Sequence, residues 1–325
     1  MNILIIGGAG YIGSHMVKLL QKTGCHVVVL DDLSNGFRDA VPEVELVVGS
    51  IADVGLLKSL FARYQFDAVI HFASFIQVSE SISHPQKYYK NNVVSTLILL
   101  NAMRESGVCR FIFSSTAAVY GNPVHWSIDE NHPKSPINPY GKSKWMVEQV
   151  LDDYDHAYGL KSVCLRYFNA AGADADGALG ERHEPETHLI PLVLQTAAGR
   201  RGAICVFGND YDTPDGTCIR DYIHVTDLCE AHLLALNYLM AGGESDRFNL
   251  GNGQGFSVNE VIETAGHVTG RRIQVNYQPR REGDPARLIA DSSKVREKLD
   301  WQPKRAELST IIADAWAWER TYPWG

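Results

Sequence analysis

Short, densely apolar runs recur through the first half of the chain. They occupy residues 2–8, 26–32, 44–50, 67–74, 110–116 and 161–169 and are rich in Val, Ile, Leu and Phe. A strand that is apolar at consecutive positions is buried on both faces, which is typical of a parallel sheet covered by helices. Segments with helical spacing lie between the runs, notably 85–107 and 141–159. The pattern therefore predicts an α/β fold built on a parallel sheet.

The pattern changes after about residue 170. Residues 173–186 are polar and contain glycines, which predicts a loop, and shorter helices are predicted over 188–199, 225–243 and 258–270. Ser257 and Glu260 have the spacing of a capping box, in which each side chain bonds the other residue's backbone N–H.

Composition narrows the possible functions. The chain has 325 residues, 45% hydrophobic and 21% charged, with a formal net charge of −8. An acidic balance argues against binding to a nucleic-acid backbone, so no nucleic-acid partner is expected. No apolar run reaches the ~18 residues of a membrane helix, so no membrane association is expected. The six cysteines form no C-x-x-C pair, which favours buried thiols in a reducing compartment and a cytoplasmic location.

The first apolar run leads into a glycine loop with the spacing of a dinucleotide site. Gly7, Gly10 and Gly13 are spaced by three between a predicted strand and a predicted helix. Glycines let a backbone approach a pyrophosphate, and the start of the helix offers free N–H groups. Asp31 ends the second predicted strand, where a carboxylate accepts from ribose hydroxyls and repels a 2′-phosphate. The sequence therefore predicts NAD as the cofactor.

A second motif is YGKSK, which places Tyr140 four residues before Lys144. On a helix these side chains lie one above the other. By itself this spacing occurs by chance in many chains and favours an ordinary surface helix.

Larger blocks carry a family resemblance. FSSTAAVYG (113–121), NPYGKSKWMVEQ (138–149), LRYFNAAGA (165–173), the stretch from Phe207 to Leu228 and QPRREGD (278–284) accompany the glycine loop. Together they resemble the extended short-chain dehydrogenase/reductase family, and within it the sugar-nucleotide 4-epimerases, over nearly the whole chain. The resemblance implies a homodimeric isomerase that epimerises a UDP-sugar at C4 with NAD, UDP-glucose and UDP-galactose being the expected pair.

The resemblance also implies an architecture. It consists of a doubly wound parallel sheet, the Rossmann fold, with a smaller C-terminal α+β lobe for the substrate. The NAD-binding domain is expected over residues 1–169 plus approximately 221–250, and the UDP-sugar-binding lobe over 170–220 plus approximately 251–325.

Three residues are the expected catalytic group. The resemblance makes Tyr140 the acid/base, Lys144 its tuner and a ribose ligand, and Thr116 the hydrogen-bonding hydroxyl. A lysine ammonium and a positive nicotinamide should both lower the pKa of Tyr140 toward neutrality.

The remaining site residues follow by position. The expected cofactor residues are Gly7, Gly10, Tyr11, Ile12, Gly13, Asp31, Asn35, Ser50, Ile51, Phe72, Ala73, Asn91, Ser114, Tyr140, Lys144 and Tyr167. The expected substrate residues are Thr116, Tyr140, Phe168, Asn169, His188, Leu189, Phe207, Arg220, Arg281 and Asp284. No metal ligands are assigned.

Several positions depart from the family pattern. Ser50 stands where an Asp often contacts adenine, Ile76 where a cofactor-side Lys often stands, and His188 where an Asn is common. Ala117 and Ala118 replace the Asp and Glu with which related 4,6-dehydratases eliminate water, and alanine carries no acid/base chemistry.

Two alternatives to the UDP-glucose reaction stay open. One is 4-epimerisation of another UDP-sugar, an N-acetylhexosamine or a pentose, because Leu288 at the expected gatekeeper position is intermediate in size. The other is a non-catalytic NAD-binding sensor on the same fold.

Overall fold

The strands are short, as the apolar runs predict. The computed structural model describes residues 1–281 and 284–324. Its strands are β1 (Asn2–Ile6), β2 (His26–Asp31), β3 (Glu45–Val48), β4 (Ala68–His71), β5 (Arg110–Thr116), β6 (Ser127–Ile128), β7 (Lys161–Tyr167), β8 (Asn169–Ala171), β9 (Ile204–Phe207), β10 (Ile219–His224), β11 (Asp246–Leu250), β12 (Gly255–Ser257), β13 (Val275–Gln278) and β14 (Arg287–Ala290).

The helices fall between these strands. They are α1 (Tyr11–Lys22), α2 (Val54–Arg63), α3 (Val78–Ser83), α4 (Pro85–Tyr88), α5 (Ser95–Glu105), α6 (Pro139–Tyr158), α7 (Leu189–Ala197), α8 (Val225–Met240), α9 (Val258–Thr269), α10 (Ser293–Leu299) and α11 (Leu308–Thr321). Short 3₁₀ turns cover Arg38–Ala40 and Ala117–Tyr120, and a π-helical segment covers Tyr89–Val94.

A seven-stranded sheet within the described residues has the order β3-β2-β1-β4-β5-β7-β11. The pairs β1–β2, β1–β4, β2–β3, β4–β5 and β5–β7 are all parallel. The strand order reverses between β1 and β4, and ligands of doubly wound sheets bind beside the carboxyl ends of the strands at such a reversal. The predicted α/β class and doubly wound sheet are confirmed.

The inner strands of this sheet are buried because helices cover them, whereas the edge strand β3 is only partly buried. All of β4, and all of β1 except Asn2, is buried, and Leu4, Val69 and Phe111 share one apolar core with helices α2, α5 and α6. Continuous apolar strands therefore correspond to burial on both faces.

The structure differs from the helix predicted over 85–107. That segment consists of α4, the π-helical segment and α5. The buried Asn92 in the π-helical segment accepts from the backbone N–H of Phe75 at 3.0 Å and donates to its carbonyl at 3.0 Å. A π-helical turn inside a helix is often found at a functional site. The hydrogen bonds between Asn92 and Phe75 accompany the change from an α-helix to a π-helical turn. The spacing of apolar residues along a helix carries no information about such bonds to a distant loop.

The chain divides into two compact units. The first contains Met1–Asn122, Asn131–Tyr167 and Cys229–Phe248, and the second contains Pro123–Glu130, Phe168–Leu228 and the chain from Asn249 onward. The assignment of one domain to NAD and one lobe to the UDP-sugar stays a prediction.

The second unit has its own sheet and core. Its strands order as β12-β10-β14-β6, with β8 also paired to β10, while β9 and β13 form a separate parallel pair. Helices α7, α9 and α11 pack together around Ile190, Val261 and Ile311. The predicted capping box of α9 is present, since Ser257 and Glu260 each bond the other's backbone N–H.

A helix that crosses a membrane needs about 20 consecutive, mainly apolar residues. Within the described residues, none of the helices combines the length and apolar composition needed to cross a membrane.

Candidate active site

The glycine loop connects β1 to α1 in the first unit. Gly7 has φ +76°, and a Cβ there would lie 2.6 Å from the backbone nitrogen of Ala73. A Cβ on Gly13 would lie 2.2 Å from the carbonyl oxygen of Gly7. Gly7 is therefore required for its backbone angle and Gly13 for close packing of the helix on the loop.

The start of α1 is open. A Cβ on Gly10 would meet only the Gly7 oxygen, at 3.5 Å. Gly10 is the N-cap, no side chain caps the helix, and Tyr11 and Ile12 are the first two helical residues. This end of the helix combines uncapped N–H groups with the positive end of the helix dipole, which suits a phosphate.

Asp31 lies at the carboxyl end of β2, next to the glycine loop. Its carboxylate accepts from the backbone N–H groups of Ala9 and Leu33, each at 2.9 Å. Burial raises the pKa of Asp31 above its ordinary value, and these two backbone hydrogen bonds oppose the rise. The carboxylate is held at the strand end where a ribose contact was predicted. Asn35 follows in the same loop, four residues after Asp31.

The carboxyl end of β4 faces the same loop. Phe72 and Ala73 donate from their backbones to the carbonyl of Ile6, at 2.8 and 3.2 Å. The ring of Phe72 lies 4.9 Å from that of His232. The structure therefore brings Gly7 and Ala73 together at the reversal of strand order, as the predicted cofactor set requires.

Lys144 is buried in α6, with 2% of its surface exposed. Its Nζ donates to the Ser74 hydroxyl at 2.6 Å and to the Ser114 carbonyl at 2.7 Å, and lies 4.8 Å from the centre of the Phe113 ring. Burial lowers the pKa of Lys144 to about 7, although Glu148 and Cys164 oppose the fall. The sequence reading missed Ser74, for which no motif signals a role.

Tyr140 lies in the first turn of α6, which Asn138 caps by accepting from the backbone of Gly141 at 2.8 Å. Thr116 ends β5 and accepts from the backbone of Ala118 at 3.1 Å. Burial raises the pKa of the Tyr140 phenol, and hydrogen bonding with Thr116 offsets this only in part. Burial of the phenol therefore outweighs the lowering that was expected from Lys144, and the lowering expected from a nicotinamide stays a prediction.

Three further predicted cofactor residues lie on neighbouring elements. Tyr167 ends β7, opposite Thr116 in the β5–β7 register, and burial raises its pKa. Ser114 lies on β5, and its carbonyl oxygen accepts from Lys144. Asn91 lies in the π-helical segment and donates to the Asn92 side chain at 3.0 Å.

The predicted adenine contact lies after β3. Ile51 is buried, and the Ser50 hydroxyl accepts from the backbone of Ala52 at 3.2 Å. The Ser50 hydroxyl therefore stabilises the turn that follows it. Ser50 stands at the position where an Asp is more common.

The predicted substrate residues lie in the second unit. Arg220, on β10, donates to Asp284 at 3.0 Å, and its side chain is 14% exposed. It pairs with Leu288 of β14 in the parallel register, and Leu288 is half-buried. Two residues of the RREGD segment, Glu282 and Gly283, lie outside the described residues.

A cation–π pair joins two more of these residues. The guanidinium carbon of Arg281 lies 3.9 Å from the centre of the Phe207 ring at the end of β9. This spacing is well within the range of cation–π attraction.

Phe168 and Asn169 begin the long middle segment of the second unit. The backbone of Phe168 donates to the Leu250 carbonyl at 3.3 Å, and the Asn169 amide donates to the Asp221 carbonyl at 2.9 Å. The Asn169 side chain is thus bound to backbone on the strand that carries Arg220.

His188 and Leu189 lie at the start of α7. His188 Nδ1 is 2.8 Å from Glu181 and 3.1 Å from Glu186. Burial disfavours the imidazolium, but the two carboxylates outweigh it and raise the pKa of His188 to about 10. The sequence predicted a contact between His188 and the substrate, and it did not predict that His188 would pair with two carboxylates.

Sequence reasoning missed two features of the second unit. One is the Glu181, His183, Glu186 and His188 cluster, whose signal is the spacing E-x-H-x-x-E-x-H. The other is Asp221, fully buried, which accepts from the backbones of Asn252, Gly253 and Ala290 at 2.8, 3.0 and 3.1 Å. Burial raises the pKa of Asp221 to about 6.

The doubly wound sheet, the glycine loop ahead of α1 and the Tyr140–Lys144 spacing on α6 are typical of one class of protein, the short-chain dehydrogenases/reductases. A family model described as GDP-mannose 4,6 dehydratase matches residues 4–314. The chain belongs to this family, within the extended short-chain dehydrogenases/reductases.

Individual proteins agree with this membership. A UDP-glucose 4-epimerase of Halalkalibacterium halodurans is 51% identical over 325 residues, which cover 100% of this chain and 97% of that protein. A crystal structure of a UDP-glucose 4-epimerase matches with a TM-score of 0.98 at 50% identity, covering 99% and 98% of the two chains. A UDP-glucose 4-epimerase from Brucella ovis, solved in complex with NAD, matches with a TM-score of 0.95 at 49% identity and covers 97% of both chains.

Proposed function

We propose that this chain is an NAD-dependent UDP-glucose 4-epimerase that interconverts UDP-glucose and UDP-galactose. The observation that carries the proposal is the placement of Thr116, Tyr140 and Lys144 in the same compact unit as the glycine loop and Asp31. Full-length relatives at about half identity carry this name, which supports the same reaction for this chain.

The residues of the first unit fit NAD. The uncapped start of α1 and the open space beside Gly10 suit the pyrophosphate, and Asp31 is positioned to accept from a ribose hydroxyl. Lys144 has three N–H donors and directs two of them to Ser74 and Ser114, which leaves a third for a ribose hydroxyl. Bound NAD supplies reversible removal of a hydride from the sugar carbon.

The protein's own part in the reaction is proton transfer. Tyr140 accepts the proton of the C4 hydroxyl as the carbon is oxidised and returns a proton when the opposite epimer forms. Thr116 hydrogen-bonds the phenol and supports a substrate hydroxyl in the same place. Because burial raises the pKa of Tyr140, its phenolate needs positive charge nearby, from Lys144 and from the nicotinamide of the bound cofactor.

The second unit supplies residues for the nucleotide part of the substrate. Arg220 and Arg281 are assigned to the diphosphate, for which planar guanidinium groups are well suited. Asp284 holds Arg220 in place at 3.0 Å, and Phe207 does the same for Arg281 through its ring face. Asp284 and Phe207 are assigned in addition to the uridine ribose and base.

A dehydratase reaction is disfavoured even though the matching family model is described by one. Ala117 and Ala118 form the 3₁₀ turn directly after Thr116. Their methyl side chains transfer no protons, so the acid and base needed to eliminate water are absent at these two positions.

The same proposal includes a homodimer and a cytoplasmic location. All six cysteines lie in the described residues and are free thiols, as a reducing compartment maintains. The family's usual pairing through helices of the first domain supports the dimer.

The reaction is tested on purified protein. Added UDP-glucose should be converted to UDP-galactose without added NAD, because the cofactor returns to its starting state in each cycle. Bound nucleotide should show transient NADH fluorescence. Failure to interconvert any UDP-hexose, even with NAD supplied, would overturn the proposal.

Epimerisation of a larger UDP-sugar is the second candidate. Leu288 is half-buried beside Arg220 in the sheet and is intermediate between a small and a large gatekeeper residue. Parallel assays with UDP-N-acetylglucosamine and UDP-xylose distinguish the candidates. Comparable kcat/KM for UDP-glucose and UDP-N-acetylglucosamine would show a broad specificity.

A further inference from the structure

Four side chains with metal-binding atoms converge just before α7. They are Glu181, His183, Glu186 and His188, whose ligand atoms all lie within 4.8 Å of one another. The side chains of Glu181 and Glu186 are only 7% and 6% exposed. Two imidazoles therefore meet two buried carboxylates at a single point.

The ligand atoms lie close enough together to surround one ion. His183 Nδ1 lies 3.1 Å from Glu181 and 3.7 Å from Glu186, and His188 Nδ1 lies 2.8 and 3.1 Å from the same two carboxylates. Tetrahedral Zn²⁺ with bonds of ~2.1 Å separates its ligands by about 3.4 Å. Three of the four nitrogen–oxygen separations are shorter than that value and one is longer, so these atoms would move apart slightly to surround a metal ion.

The surrounding groups hold the ligands in place. Glu186 Oε1 accepts from the backbones of Thr187 and His188, at 2.7 and 2.8 Å. The carbonyl oxygen of Glu181 accepts from the buried indole of Trp318, on α11, at 3.3 Å. Outer partners of this kind orient metal ligands and increase affinity.

The chemistry of the ligands narrows the choice of metal. Two imidazole nitrogens and two carboxylates suit Zn²⁺ or Co²⁺ better than Ca²⁺ or Mg²⁺, which prefer oxygen ligands alone. Four protein ligands in a tetrahedron leave no open position, which is typical of a structural site. The two carboxylate charges would balance the charge of one divalent ion.

We propose that Glu181, His183, Glu186 and His188 form a structural binding site for a divalent transition metal of the zinc type. The site fixes the segment 181–188 against the start of α7. It stands on the geometry of these four side chains. Because His188 is also a predicted substrate contact, the tests below measure metal binding without substrate, so that failure of either proposal is recognised separately.

Cobalt binding tests the site directly. Tag-free full-length protein is treated with a chelator, dialysed and titrated with Co²⁺. We expect one equivalent to bind with the visible d–d absorption of tetrahedral cobalt, and one equivalent of Zn²⁺ to abolish that absorption. Wild-type protein that binds neither Co²⁺ nor Zn²⁺ stoichiometrically overturns the proposal.

Variants locate the site. His183→Gln and Glu186→Gln should each weaken Co²⁺ binding by more than about 100-fold, since losing a ligand costs more than losing an outer partner. The matched control is His267→Ala on α9, whose exposed imidazole lies 3.7 Å from Glu263 and which should bind Co²⁺ as wild type does. Circular dichroism confirms that each variant is folded. Unchanged binding in both folded ligand variants would place the metal elsewhere and overturn the assignment.

Discussion

Lys144 illustrates how a single residue departs from ordinary behaviour in this protein. An ammonium that is 2% exposed is costly unless several partners bind it. Here the Ser74 hydroxyl and the Ser114 carbonyl accept hydrogen bonds from it, and the Phe113 ring lies beside it. Burial lowers the pKa of Lys144 to about 7, and the charges of Glu148 and Cys164 offset that fall only in part. A structural lysine gains nothing from such a position, so its burial supports a chemical role beside Tyr140.

Tyr140→Phe tests that role. The variant keeps the ring and loses the hydroxyl, so we expect kcat for UDP-glucose to fall by about 10²- to 10⁴-fold while NAD stays bound. Steady-state kinetics and the nucleotide content of the purified variant are the measurements.

Tyr158→Phe is the matched control for Tyr140. Tyr158 is the last residue of the same helix and is 52% exposed. Loss of the Tyr158 hydroxyl should leave kcat for UDP-glucose unchanged. Wild-type turnover in Tyr140→Phe would remove Tyr140 from the mechanism.

Asp221 is a buried ionisable residue with a structural role, and burial shifts its pKa as it does that of Lys144. Its carboxylate accepts from three backbone N–H groups, and an amide oxygen accepts from at most two. Asp221→Asn should therefore leave a buried donor without a partner and lower the free energy of unfolding by about 3 kcal/mol. Chemical denaturation measures the loss. Asp212→Asn, at an exposed position, should change stability by less than about 0.5 kcal/mol, and an equal loss in both variants would contradict this role.

At the scale of elements, the β1–α1 connection depends on the space available at Gly13. An added Cβ would lie 2.2 Å from the Gly7 oxygen and 2.8 Å from the Gly8 Cα, and backbone atoms cannot move aside cheaply. The loop and the helix would have to separate at the point where a pyrophosphate is expected.

Gly13→Ala should therefore reduce both stability and cofactor retention. We expect a loss of about 1–3 kcal/mol, typical of overpacking, together with little NAD in the purified variant. Thermal unfolding and nucleotide extraction are the measurements. Gly202→Ala is the control because its Cβ would meet no atom within 4 Å. If Gly13→Ala retains NAD and unfolds at the same temperature as the wild type, the close contact is relieved without cost.

The π-helical segment is an element that no local pattern predicts. Asn92 bonds both backbone groups of Phe75 and also donates to the Ser143 hydroxyl of α6 at 3.1 Å. These bonds connect the loop after β4 to the helix that carries Tyr140 and Lys144. Their partners are separated from Asn92 by 17 and 51 residues.

At the scale of the whole molecule, each compact unit has its own apolar core. The first is centred on the parallel sheet and includes Leu4 and Phe111, and the second lies among α7, α9 and α11 and includes Val261 and Ile311. Separate cores would allow the predicted cofactor residues and the predicted nucleotide-sugar residues to be supported independently.

The proposed homodimer can be tested through exposed apolar residues of the first unit. Val94 and Met146 are 50% and 42% exposed and lie on the π-helical segment and α6, which pack against each other. We expect wild-type protein to be a dimer by light scattering. The double variant Val94→Asp and Met146→Asp should be mainly monomeric at the same concentration, since burying the new charges would be costly.

Val54→Asp is the matched control for the dimer test. Val54 is 49% exposed at the start of α2, and this variant should remain a dimer. A monomeric wild type, or equal dissociation of all variants, would contradict pairing through these helices.

The sequence alone was sufficient for most of the local structure. The apolar runs predicted β1, β2, β3, β4, β5 and β7 to within a few residues, because burial on both faces requires consecutive apolar positions. The glycine spacing, Asp31 and the YGKSK motif identified the cofactor and catalytic candidates, because each depends on residues close together in the chain.

Only the tertiary structure decided which distant groups meet. Lys144 bonds Ser74, 70 residues away, and the three backbone donors to Asp221 lie 31 to 69 residues beyond it. The convergence of Glu181, His183, Glu186 and His188 required the conformation of a loop that periodicity does not describe. Local patterns encode propensity and burial, whereas contacts between distant residues, and the pKa shifts that burial produces, exist only after the elements have packed.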